Sequence, residues 1–253
     1  MSEIRTAVVI GASGGIGAAL VEALDDEDVR TLPFARSFSG ERHLDLEDEA
    51  SIAAAAARAD SPDLVIVATG LLHDADHGPE KAIRELDPAW LAHQFAVNAI
   101  GPALVAKHFL PIMPRSGRSV LAFLSARVGS ITDNRLGGWY GYRASKAALN
   151  QLVRTLAIED KRRNDRGLVV ALHPGTVDTA LSQPFRQSGR DLFKQRLTAR
   201  GIDPGPVLGE AYRVLRTLEH RIQLHRLRRT HLMPTSDDDL RRLGRAMRLW
   251  DQP

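Results

Sequence analysis

The 253-residue sequence predicts an α/β protein in which a doubly wound parallel sheet is covered on both faces by helices, three layers in one domain. Two observations carry this. Short apolar runs alternate with longer stretches of helical period, and a glycine turn joins the first run to the first of those stretches. The strand runs are "RTAVVIGA" (5 to 12), "VRTLPFAR" (29 to 36), "RHLDL" (42 to 46), "DLVIVATG" (63 to 70), "RSVLAFLSA" (118 to 126) and "GLVVALHPG" (167 to 175). Between them lie "GIGAALVEALDD", "DEASIAAAAARAD", "PAWLAHQFAVNAIGPALVAKHFL" and "YRASKAALNQLVRTLAIEDKRR". Pro33 has no N–H for a central ladder, so the second strand is expected to pair weakly around it. The alanine run at 53 to 57 is expected to be helix, with Asp48 capping its start.

Composition narrows the classes. At 43% hydrophobic and 26% charged the chain can bury one core, and one domain is the expectation. Residues 1–185 read as the dinucleotide-binding core, and 186–253 as a variable substrate-covering segment with a divergent basic tail of the same domain. With no cysteine, thiolate nucleophiles, disulfides and cysteine metal sites are excluded, which fits a reducing, cytoplasmic setting. The net charge is +3, and the arginines of "HRLRRTH" and "LRRLGRAMR" read as solvated helix faces rather than a nucleic-acid surface. The N-terminal "MSEIRTAVVIGASGG" has only a short apolar run cut by glycines, so neither signal peptide nor membrane span is expected.

The glycine turn reads Gly11-Ala12-Ser13-Gly14-Gly15-Ile16-Gly17. Strand, tight turn and helix N-terminus together make an anion site, because missing Cβ atoms admit a pyrophosphate and unpaired helix N–H groups point at it. This is the Rossmann-type dinucleotide signature. The Lys-Ser or Lys-Thr phosphate loop is excluded, since Ala18 and Ala19 follow Gly17. At the end of the second strand Ala35-Arg36-Ser37 stands where an acid would select the ribose hydroxyl, so Arg36 and Ser37 favour NADP(H) over NAD(H).

In "GWYGYRASK" (138 to 146) Tyr142 and Lys146 are four apart and share a helix face, whereas Tyr140 faces elsewhere. An ammonium beside a phenol lowers its pKa from about 10 toward neutrality, which suits a general acid for a carbonyl oxygen.

These residues resemble the short-chain dehydrogenase/reductase family over about residues 5 to 185. The ordered motifs are the glycines at 11, 15 and 17, Asp45 after the third strand, "ATG" (68 to 70), "VNAIG" with Asn98, a serine ending the fifth strand, Tyr142 with Lys146, and Pro174-Gly175. The words "LLH", "SARVGSI", "NRLGGWYGYRASKAALN" and "HPGTVDT" look like the C-factor and sniffer-type carbonyl reductase branch. The resemblance implies that Tyr142 donates the carbonyl proton, that Lys146 binds the nicotinamide ribose, and that Asn98 holds a water linking Lys146 to solvent. The bland reading of Asn98 is a buried amide bonded to backbone; Gly101-Pro102 distorts its helix either way. Asp45 and Leu46 would meet the adenine, and Ala68, Thr69 and Gly70 the adenosine side. Pro174, Gly175, Thr176 and Val177 would border the nicotinamide, with Thr179 near its amide or the pyrophosphate. The resemblance also implies a homodimer or homotetramer packed through helices at 88 to 110 and 140 to 163.

The pattern breaks at the family's serine. Gly129 places that slot at Ala126, and Ser125, one position earlier, is taken as the catalytic serine. After about 186 the resemblance fades: "DPGPVLGEAYRVLRTLEHR" and "SDDDLRRLGRAMRLW", with Ser236 as a cap, read as helices where the branch normally ends in a strand. His173 is given no chemistry. The His73-Asp-Ala-Asp-His77 stretch has zinc-type ligands but lies in a loop without a third cluster, so no metal is expected. A hydrolase elbow, Gly-x-Ser-x-Gly, is absent. Trp139, Leu136 and Phe185 are candidates for an apolar substrate pocket. The expectation is an NADP(H)-dependent oxidoreductase on a small carbonyl or alcohol; the alternative is a dinucleotide-binding signalling or regulatory protein.

Overall fold

The computed structural model describes residues 4–182 other than 176, 178 and 180, within a compact unit Met1–Pro184. Thr176, Phe185 and both C-terminal helix expectations lie outside the described residues.

Five parallel strands, β1 (Thr6–Ile10), β2 (Arg30–Phe34), β3 (Leu64–Val67), β4 (Ser119–Leu124) and β5 (Gly167–Leu172), form one sheet in the order β2-β1-β3-β4-β5. The helices are α1 (Gly15–Asp26), α2 (Glu49–Arg58), α3 (Pro88–Phe95), α4 (Gly101–Phe109) and α5 (Tyr140–Arg163). Ala7 to Ile10 and Leu64 to Val67 are buried on both sides, the signature of a parallel sheet covered on both faces. On one face Val8, Ile10, Val65, Val67, Leu121 and Phe123 pack with residues of α2, α4 and α5; on the other Ala7, Ile66 and Ala122 meet Leu20 and Leu24 of α1. This is the three-layer doubly wound α/β fold read from the sequence.

Pro33 sits opposite Val9 in β2, which is an edge strand among the described residues, so its missing N–H costs the sheet little. The third expected strand does not form. Its place is taken by a single parallel bridge, Ala35 to His43, after a one-turn 3-10 helix at Gly40–Arg42. The ladder stops because the Asp45 backbone turns to a side chain instead: its N–H donates to Ser51 Oγ at 2.9 Å, and that hydroxyl donates back to the Asp45 carbonyl at 2.9 Å. Leu44 and Leu46 are still buried, which is the alternation the sequence reading picked up.

Asp48 caps α2 by accepting from the Ala50 N–H at 3.0 Å, as expected. Between α3 and α4 the helix widens into a π turn at Ala96–Ile100, with Asn98 inside it. Pro102, which has no N–H, and Gly101, where a Cβ would stand 2.6 Å from Leu46 Cβ, account for the break in the α ladder. The stretch Pro88–Ile112, mean hydropathy 1.3, has the length and composition to cross a membrane. Its buried residues include Gln94 and Asn98, both hydrogen-bonded within the protein, and Val105 and Phe109 in the core.

Candidate active site

β1 has β2 on one side and β3 on the other, so the chain reverses its direction of winding beside the carboxyl end of β1, where open α/β sheets take ligands. The glycine turn occupies this position. Gly11, at φ +89°, donates its N–H to the Phe34 carbonyl at 2.8 Å, and a Cβ there would stand 2.9 Å from the Ala68 carbonyl. At Gly17 a Cβ would lie 2.1 Å from the Gly11 carbonyl oxygen, so helix and turn approach closely only because that position is glycine. The α1 N-cap, Gly14, has no side-chain cap, and Ser13, Gly14 and Gly15 are exposed, which leaves the first N–H groups of α1 facing outward. Thr179 packs on this turn, its Cγ2 3.0 Å from where a Gly15 Cβ would be.

Beside the turn, Ala68, Thr69 and Gly70 follow β3, and Thr69 Oγ1 is buried without a hydrogen-bond partner. Arg36 and Ser37 are exposed just past β2, and Arg36 has no ion pair among the described residues. Asp45 accepts the Glu47 N–H at 3.0 Å, while Leu46 is buried in the core. Pro174, Gly175 (φ +76°) and Val177 follow β5, and the Val177 carbonyl accepts from Ser182 Oγ.

The second half of the site stands on α5. Tyr142 and Lys146 are 8% and 2% exposed, one turn apart, whereas Tyr140 is exposed. Lys146 Nζ lies 5.9 Å from the Tyr142 ring centroid and donates to the Leu124 carbonyl at 3.0 Å, tying α5 to the end of β4. Burial pushes the phenol up to about 12 and the ammonium down to about 8. This corrects the expectation of a lowered phenol: desolvation outweighs the ammonium, which faces the ring rather than forming a short contact to the hydroxyl.

Asn98 is fully buried; its Oδ1 accepts the Leu71 N–H at 2.8 Å, and its Nδ2 donates to the Leu71 carbonyl at 2.7 Å and to Ser145 Oγ at 3.1 Å. Ser145 in turn donates to the Tyr142 carbonyl at 3.1 Å. The side chain of Asn98 is thus a clamp between the β3 loop and α5. A Cβ on Gly70 would stand 3.6 Å from Lys146 Nζ and 3.8 Å from Asn98 Oδ1, so the three positions converge. Ser125, 9% exposed at the end of β4, donates its hydroxyl to Asn150 Oδ1 at 2.7 Å.

Of the loop candidates, Leu136 is 93% exposed, and Trp139 meets the Tyr142 ring edge-on at 6.3 Å. His77 pairs with Asp74 at 3.0 Å and stacks on Trp90 at 4.7 Å. Ser145, Asn150 and Glu80 were not singled out from the sequence. Ser145 and Asn150 share helical spacing with Tyr142 and Lys146 and were findable that way. Glu80, in a loop, carried no periodic signal.

The short chain dehydrogenase family model matches residues 5–190, and the chain belongs to that family. Among its relatives, a protein called C-signal from Myxococcus xanthus is 38% identical over 103 residues, 41% of this chain and 61% of that protein. A 1-hydroxy-2-glutathionyl-2-methyl-3-butene dehydrogenase from Rhodococcus is 30% identical over 191 residues, 72% of this chain and 82% of that enzyme. Similar solved structures include a short-chain dehydrogenase/reductase from Burkholderia multivorans with bound NADP (26% identity, TM-score 0.62, 72% of this chain and 84% of that one). The NADPH-bound carbonyl reductase from chicken fatty liver is 28% identical with TM-score 0.59, over 72% and 80% of the two chains. A second match lies beyond the core. A GlnD PII-uridylyltransferase family model matches residues 203–253. A bifunctional glutamine synthetase adenylyltransferase/adenylyl-removing enzyme from Streptomyces coelicolor is 67% identical over 83 residues, 31% of this chain but 8% of that enzyme.

The chain spans 61% of the length of C-signal and 8% of that of the adenylyltransferase/adenylyl-removing enzyme, less than two thirds of either.

Proposed function

We propose that this protein is an NADP(H)-dependent oxidoreductase interconverting a small carbonyl and its alcohol, with Tyr142 as general acid or base and Lys146 as its partner. The observation that carries the reading is the buried Tyr142–Lys146 pair on α5, with Lys146 Nζ close to Gly70 in the loop after β3.

The residues present fit a dinucleotide. The uncapped α1 N-terminus and the glycines at 11, 14, 15 and 17, with Ser13 and Ile16, suit a pyrophosphate. The buried, unpartnered Thr69 Oγ1, between Ala68 and Gly70 in the loop after β3, suits a donor from the adenosine side, and Asp45 suits the adenine edge. Arg36, exposed and without an ion pair among the described residues, and Ser37 suit a 2′-phosphate. Pro174, Gly175, Val177 and Thr179 suit the nicotinamide end. When bound, the cofactor supplies or accepts the hydride. Tyr142 holds its proton throughout neutral pH, since burial keeps it up at about 12, and so acts as donor in the reducing direction. Lys146, pushed down to about 8, exchanges protons in the working range and restores that of the phenol. Ser125 gives the carbonyl its second hydrogen bond by rotating its hydroxyl away from Asn150.

A regulatory dinucleotide-binding protein is favoured by one observation, the commitment of the Ser125 proton to Asn150. Titration with NADPH and NADH, followed by nicotinamide fluorescence, and then a panel of aldehydes and ketones decides between them. Tight NADPH binding with turnover supports the reductase. Binding without turnover on any carbonyl supports the regulatory reading, and no binding of either nucleotide overturns both.

A further inference from the structure

We propose that Glu80 is the positioning residue of the catalytic helix: its buried carboxylate anchors the first turn of α5 and so fixes where the Tyr142 phenol stands. The inference rests on the role proposed for Tyr142.

A helix start leaves its first N–H groups without partners, and a Ser, Thr, Asp or Asn at the N-cap usually supplies one acceptor. The α5 N-cap is Trp139, which has no side-chain acceptor and is itself left-handed at φ +54°, after Gly137 and Gly138 at φ +66° and +63°. Three successive residues in that region form an entry that needs holding from outside. Glu80 does so twice, from a loop far back in the chain. Its backbone carbonyl accepts the Trp139 N–H, and its Oε2 accepts the Gly141 N–H at 3.1 Å, next to Tyr142. The carboxylate is 3% exposed, and a negative charge at a helix N-terminus is favourable.

Its other oxygen, Oε1, accepts from Gln94 Nε2 of α3 at 3.1 Å, so the anchor is itself braced. The fit is close: a Cβ on Gly141 would stand 2.5 Å from Gln94 Nε2 and 2.9 Å from Glu80 Oε1. Gln94 Oε1 is buried without a partner, so a turned-over Gln94 amide offers an acceptor to an amide at position 80. Glu80→Gln therefore keeps both contacts, through its carbonyl to Gly141 and its NH2 to Gln94, and loses only the charge.

The test uses the full chain as wild type, E80A, E80Q, G141A and Y142F. Amide hydrogen exchange across Gly141 to Arg143 is read alongside NADPH Kd and kcat on an aromatic aldehyde. Losing a hydrogen bond to a charged group corresponds to about 10-fold to 100-fold. E80A is expected to speed exchange in that turn and lower kcat by about that factor, with NADPH Kd changed less than about 3-fold, while E80Q restores both. G141A, which crowds the same contact from the helix side, is expected to give the E80A pattern and serves should E80A fail to fold. Unchanged first-turn exchange and kcat in folded E80A, or in G141A where E80A does not fold, overturn the proposal, as does E80Q losing as much as E80A. Wild-type turnover in Y142F sinks the role of the phenol alone, because first-turn exchange still reads the anchor.

Discussion

Lys146 and Tyr142 are displaced in opposite directions by the same cause, the loss of water around them, and the consequences for pH dependence differ in sign. Lys146 binds a proton in the folded state only below about pH 8, whereas the unfolded chain keeps it to about 10.4. Below about 8 both states are charged and the burial penalty is fully present; stability from this group then rises with pH between about 8 and 10.4. Tyr142 works against it only above about pH 10, where the unfolded phenol ionises first. Urea unfolding of wild type and Lys146→Met is expected to show that rise in the first and not in the second, a difference of roughly 3 kcal/mol across the window. Carbonyl reduction is expected to decline as pH passes about 8, where Lys146 loses its proton. Arg36 is tested separately. Arg36→Ala is expected to weaken NADPH binding about 10-fold or more and leave NADH within about 2-fold, read by fluorescence titration.

At the scale of the element, the glycine turn makes the sharpest prediction. Gly17→Ala sets a methyl 2.1 Å from the Gly11 carbonyl, so turn and helix must part. We expect a loss of about 1–3 kcal/mol or more in denaturant unfolding and loss of nucleotide binding in the same variant. This turn was legible because glycine spacing, a preceding apolar run and a following amphipathic stretch all agree. The Tyr142–Lys146 face was legible for a similar reason, helical spacing. Where the reading failed, a side chain competed with the pattern. Leu44 and Leu46 alternate like a strand, but Ser51 takes the Asp45 backbone groups that a ladder needs. The phenol pKa was missed because spacing places Lys146 on the same face but does not say how much water the fold removes. Glu80 was invisible because its partners, Gly141 and Gln94, come from distant elements.

At the scale of the whole molecule, the chain carries two family matches, 5–190 and 203–253, and the site described above lies within the first. One large core on the α2, α4 and α5 face of the sheet supports that site. Phe109, fully buried there, is expected to cost about 3–5 kcal/mol on change to Ala in chemical denaturation. The central claim concerns chemistry at Tyr142, and the most direct measurement compares wild type with Tyr142→Phe for NADPH affinity and for single-turnover reduction of a carbonyl. Unchanged affinity with reduction lowered by about 100-fold or more is the predicted result. Reduction at the wild-type rate in Tyr142→Phe would contradict the account.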